Sequence, residues 1–138
     1  MQVDVPEYDV VESVDLDPKS SALVVVDMQN DFVHPDGALF VADAPADDPE
    51  FAMWGEHARA HTWGAEIVAD LEPLAGEIVV RKLRYDAFYG TPLDHELRLR
   101  DVETVVVCGT VANICVHYTA ASAALRWYNV VIPRDAVS

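Results

Sequence analysis

The chain has 138 residues, enough for one domain with a core of its own and too few for two. Its 24 acidic and 9 basic side chains leave a net charge of −15, a surface that repels nucleic acid and anionic membranes, while 51% apolar content is too high for a disordered chain. No apolar run approaches a membrane span and no basic, apolar leader opens the sequence, so a soluble, cytoplasmic, single-domain protein is expected over residues 1–138.

Residues 1–20 are acidic and weakly patterned, and read as an N-terminal arm. SALVVVD, Ser21–Asp27, is a continuous β-branched run ending in an acid, the pattern of a strand buried on both faces of a parallel sheet. Gly, Pro, Ala and Asp crowd residues 33–49 into a loop. TWGAEIVADLEP predicts a short helix ended by Pro73, and EIVVRK, Glu77–Lys82, a second buried strand. TPLDHELRLR opens a helix with Thr91 as N-cap, Pro92 at its first position and Asp94 three residues after the cap. TVVVC, Thr104–Cys108, reads as a third strand, Asn113–Trp127 as a helix capped by Asn113, and NVVIP, Asn129–Pro133, as a fourth strand. Strands alternating with helices imply an α/β fold, a parallel sheet flanked by helices on both faces. Ligands in such sheets bind beyond the carboxyl ends of the strands, where Asp27, Lys82 and Cys108–Gly109 all fall.

The two cysteines are not a disulfide framework, and no C-x-x-C pair suggests a metal ribbon. Cys108 closes an apolar strand and reads as a small core residue. Cys115, two residues after the expected cap Asn113, falls in the first turn of a helix, where unpaired amides and the helix dipole lower a thiol pKa; a packing role for it is equally open on position alone. Only two of the basic residues are lysines, Lys19 and Lys82. A lysine and an acid at the ends of buried strands are costly unless paired, either as a structural ion pair or as the partners of a reactive thiol.

VVVDMQNDFVHPDGAL, VVRKLRYDAFYGTPLD and VVVCGTVANICV resemble, in order and spacing, the three signature blocks of the isochorismatase-like cysteine hydrolases, which include the nicotinamidases. The resemblance implies a Rossmann-like three-layer sandwich and a catalytic triad of Asp27, Lys82 and Cys115, with Cys115 as nucleophile, Asp27 as proton shuttle and Lys82 balancing charge. It also implies a cis peptide at Thr110–Val111, an oxyanion hole made by the Val111 and Cys115 amides, and Phe32 and Trp54 as substrate-lining aromatics. The thiol chemistry needs no cofactor. MWGEHARAHTWGAE resembles the nicotinamidase W-x-x-H segment, which assigns His57 to a divalent metal such as zinc, although the Asp-x-His pair those enzymes use has no counterpart here. Where the family carries a helix, a strand and that metal-binding loop, this chain has only ADAPADDPEF, and the family continues past the position of Ser138; segments near residues 42–50 and after 138 are expected to be missing. By resemblance a homo-oligomer is expected.

Three functions follow. The first is a nicotinamidase-like hydrolase that cleaves the C–N bond of a small carboxamide through a thioacyl-enzyme. The second is an isochorismatase, which hydrolyses a vinyl ether to pyruvate and a dihydroxy-cyclohexadiene carboxylate. The third is a catalytically silent scaffold of the same fold, which the intact Asp27–Lys82–Cys115 set argues against and the shortened middle argues for. Walker, dinucleotide-binding and H-E-x-x-H motifs are absent from the sequence.

The acid-rich, lysine-poor composition suits concentrated salt, because a net charge of −15 repels itself most where the Debye length is long, about 30 Å at 0.01 M. The melting temperature is expected to rise steadily as potassium chloride is raised to molar concentration; a melt indifferent to salt contradicts a salt-adapted surface.

Overall fold

A computed structural model describes residues 11–38, 55 and 57–138. Within it lies a parallel sheet of three strands in the order β1 (Ser21–Val26), β2 (Thr104–Gly109), β3 (Asn129–Val131). β1 and β2 pair from Ser21 against Thr104 to Val26 against Gly109, and Thr104–Val106 pair with Asn129–Val131. β-Branched residues fill all three strands because they pack well on a pleated surface. Residues in register share a face, so Ala22, Val24 and Val26 lie with Val105 and Val107. This face is packed by α3 (His117–Leu125), through Thr119, Ala120 and Ala123, and by Leu93 and Leu97 of α2 (Leu93–Arg98). Val105, Val107, Val116 and Thr119 are fully buried there. Among the described residues no helix is long and apolar enough to cross a membrane.

The same alternation corrects the expectation for Cys108. It points away from Val105 and Val107, opposite Val25, and is half-buried rather than enclosed in the core. On that side Leu23 and Val25 are exposed by 66% and 47%.

Four further boundaries differ from the sequence reading. Glu77–Lys82 forms no strand: an apolar run becomes one only where a neighbour supplies ladder hydrogen bonds, and among the described residues none does. Ile78 and Val79 are exposed, and Val80 alone of the apolar three joins the core. TWGAEIVADLEP makes two separate 3-10 turns, Trp63–Ala65 and Ala69–Leu71, in place of a helix. Its Trp63 and Ala65 carbonyls accept from the side-chain amides of Asn30 and Gln29, at 2.8 and 2.9 Å, and the Trp63 carbonyl also closes the first turn by accepting from the Glu66 amide at 3.1 Å. α2 opens one residue later than expected, with Pro92 rather than Thr91 at the N-cap, although Thr91 Oγ1 accepts from the Leu93 amide at 3.2 Å. Before α3 the chain makes a π turn, Ala112–Val116, entered from Val111; Asn113 is exposed and makes no capping hydrogen bond. The helix ends at Leu125, and Trp127 follows in the left-handed region at φ 67°. The described part of the acidic arm, residues 11–19, is exposed throughout, and the ADAPADDPEF segment lies outside the described residues.

Candidate active site

Asp27 follows the last residue of β1 in the left-handed region, φ 50°, a conformation that aspartate tolerates better than most residues. Across from it Gly109 ends β2 at φ 110° with its Cα pressed against β1; a Cβ there would fall 2.1 Å from the Val26 carbonyl oxygen. That oxygen accepts from the Thr110 amide at 3.0 Å. Only glycine permits this approach, and it brings the loop of residues 110–115 beside the Asp27 side chain. The Thr110–Val111 peptide is cis. Thr110 is buried, its hydroxyl accepting from Ser138 Oγ at 3.0 Å, and the Ala112 amide donates to the Ser138 carbonyl at 2.6 Å.

The structure brings Asp27, Lys82 and Cys115 together. Lys82 Nζ meets Asp27 Oδ2 at 2.7 Å, with each side chain only 8% exposed. That carboxylate oxygen has no partner of good hydrogen-bond geometry, so charge more than direction holds the contact. Lys82 Nζ also donates to the Arg84 carbonyl at 3.1 Å, which fixes the ammonium from the far side. Cys115 is buried in the π turn. Its thiol lies within the electrostatic reach of the Asp27 carboxylate, the Lys82 ammonium and the Val111 backbone.

Burial, and next the negative charge of Asp27, push the Cys115 thiol up to about 12, against a smaller pull downward from Lys82. The expectation of a depressed thiol pKa is therefore overturned. A π turn precedes α3, so the thiol is not in the first turn of an α-helix, and the charge beside it is an anion. The resting group is a neutral S–H. Burial also raises the Cys108 thiol.

Of the other residues named from sequence, Val111 borders the thiol at the entry to the π turn, and Phe32 is half-buried in α1 (Asn30–Val33). Trp54 lies outside the described residues. His57 is buried, but the donor set does not fit a metal: among the described residues no group of three His, Cys, Asp or Glu side chains is placed to hold an ion. His34 instead edges the Trp63 ring at 4.8 Å between centroids, and His61 is exposed. Sequence reasoning passed over Gln29, Asn30 and Asp31, which tie the chain just after Asp27 to residues 58–66. Their signal was a run of polar residues, QND, at the mouth of a strand that ends in a candidate catalytic acid.

Comparison with known proteins agrees with this geometry. The isochorismatase domain model matches residues 34–138. The N-carbamoylsarcosine amidase of Thermoplasma acidophilum has a TM-score of 0.80 at 35% identity, over 86% of this chain and 84% of that one. The nicotinamidase/pyrazinamidase of Bacillus subtilis has a TM-score of 0.78 at 28% identity, over 86% of each chain. The pyrazinamidase of Pyrococcus horikoshii, solved in complex with zinc, has a TM-score of 0.76 at 30% identity, again over 86% of each. The chain belongs to the isochorismatase family of cysteine hydrolases. The parallel α/β architecture read from the sequence is the one these relatives share.

Removing one partner of a buried ion pair strands the other charge. Lys82→Met is expected to lower the unfolding free energy by about 3–5 kcal/mol, and Asp27→Asn/Lys82→Met to recover most of that loss. Urea unfolding in molar potassium chloride reads both values; a single-variant loss below about 1 kcal/mol would show that the pair is not a buried one.

Proposed function

We propose that the protein hydrolyses the C–N bond of a small carboxamide, with Asp27, Lys82 and Cys115 as its catalytic residues. The observation that carries this reading is the buried Cys115 thiol beside the Asp27 carboxylate, which is itself paired at 2.7 Å with an ammonium. Asp27 takes the Cys115 proton as the sulfur attacks the carbonyl carbon, so no free thiolate has to be stored in the resting site. The oxyanion that forms is met by the Val111 and Cys115 amides. Asp27 then protonates the leaving nitrogen, ammonia departs, and a thioacyl-enzyme remains. A water, deprotonated by Asp27, attacks that thioester and releases the carboxylic acid and the thiol. Lys82 serves as the counter-ion of the Asp27 carboxylate, held 2.7 Å from it through both half-reactions.

Phe32 and Trp54 are proposed to border the substrate. Nicotinamide is the leading substrate, supported by the likeness to the Bacillus nicotinamidase, and an N-carbamoyl amino acid is the next, supported by the likeness to the Thermoplasma amidase. No step runs through a metal. Isochorismate hydrolysis is retained as a second reading because the matching family model is an isochorismatase domain.

The test is a panel of nicotinamide, pyrazinamide, N-carbamoylsarcosine and isochorismate in molar potassium chloride, scored separately for ammonia and for pyruvate. Ammonia release is expected, and Cys115→Ala should lower kcat by roughly 10³–10⁶-fold with the fold intact. Pyruvate without ammonia would select the isochorismatase reading, and an undiminished Cys115→Ala rate would remove the thiol from the chemistry.

A further inference from the structure

The carboxylate of Asp31 is buried four residues beyond Asp27, in α1, and faces backbone rather than solvent. Its Oδ1 accepts from the Ala38 amide at 2.9 Å and its Oδ2 from the Ala58 amide at 2.5 Å. Gly64 makes room for the carboxylate, and Gly37 for the backbone that carries it. A Cβ at Gly64 would fall 1.9 Å from Oδ2 and 2.3 Å from Cγ, and a Cβ at Gly37 would fall 2.8 Å from the Asp31 Cα. Three separate stretches of chain, at residues 38, 58 and 64, therefore close on one side chain. The neighbouring residues continue the seam: Asn30 donates its amide to the Glu66 carbonyl at 2.9 Å, and Gln29 bridges Ile67.

We propose that Asp31 is a positioning residue that fixes the wall formed by residues 57–64, together with the adjoining Phe32, against the chain segment that carries Asp27, and so governs substrate binding rather than thiol chemistry. The inference rests on the hydrolase reading for its consequence in catalysis, and on the hydrogen bonds alone for its consequence in structure. A buried carboxylate that accepts only backbone amides joins loops more rigidly than a neutral side chain, because charge-assisted hydrogen bonds are the stronger kind. Asn in its place presents an N–H₂ to at least one of those amides and loses that bond. Meanwhile Asp27, Lys82 and Cys115 are held by β1, the Gly109 approach and the Arg84 carbonyl, none of which passes through Asp31.

The experiment compares wild type with Asp31→Asn and Gly64→Ala. Gly64 is not at positive φ, so alanine there disturbs the carboxylate without backbone strain, and it serves as the second variant should Asp31→Asn fail to fold. With nicotinamide and N-carbamoylsarcosine as probes, both variants are expected to raise KM at least 10-fold while kcat stays within about threefold, the signature of lost ground-state and transition-state binding together. The pH dependence of Cys115 alkylation should be unchanged. Hydrogen exchange should show the Ala58 amide protected in wild type and at least 100-fold faster in both variants, with β2 amides unaffected. Should neither probe be turned over by wild type, the hydrolase reading fails at that point and the exchange measurement still decides the staple. An unchanged Ala58 amide overturns the proposal. So does a kcat that falls as far as KM rises, or a shifted alkylation profile, each of which places Asp31 in the reacting set.

Discussion

Everything in the site depends on a buried contact between opposite charges, the 2.7 Å approach of Lys82 Nζ to Asp27 Oδ2. Neither ion is tolerable there alone, since taking an isolated charge out of water costs several kcal/mol. Together they place an ionised carboxylate inside the protein, next to a thiol whose own charged form is suppressed. Burial and the Asp27 charge hold Cys115 as S–H, and the ammonium opposes them without prevailing. The arrangement separates storage from use. In the proposed reaction the proton stays on sulfur until a substrate carbonyl arrives, and Asp27, whose charge acts on the thiol, is the base that removes it.

The backbone around the pair is arranged to make this contact cheap to hold. The glycine that ends β2 lets two strand ends approach to a distance no side chain allows, so Asp27 and the loop to Cys115 come from one narrow rim. Lys82 reaches the rim from an irregular segment, and its aim comes from the Arg84 carbonyl rather than from a strand ladder. On the other flank Gln29, Asn30 and Asp31 sew residues 58–67 to the chain leaving β1. Apart from the local Lys82–Arg84 bond, these devices join segments far apart in sequence, which is why the site stays defined even where regular secondary structure is sparse.

That same reliance on long-range bonds sets what was legible beforehand. β1, β2 and β3 were evident because continuous Val runs have few other ways to be buried, and Asp27 and Cys115 stood out as polar residues closing or following such runs. Glu77–Lys82 has the same local pattern as those strands, but strand formation needs a partner edge, which composition does not reveal. In place of the helix expected over TWGAEIVADLEP stand two 3-10 turns, the first of them pinned by side chains more than 30 residues away, contacts that a local pattern does not reveal. Cys108 was misplaced by face, a matter of register that a run of valines leaves open. The Cys115 pKa was misjudged in sign because a helix start was read from Asn113, whereas a π turn and an anion surround the sulfur.

The account turns on a neutral thiol governed by Asp27, and the most direct measurement is the rate of iodoacetamide labelling at Cys115 against pH, in wild type and in Asp27→Asn. With the thiol at about 12 in the folded protein, wild-type labelling should stay slow through pH 9 and climb only above it. Asparagine removes the negative charge and leaves Lys82, so the same rise should begin at lower pH even as turnover is lost. A wild-type Cys115 labelled rapidly at pH 7, with a profile that Asp27→Asn does not move, would contradict the account.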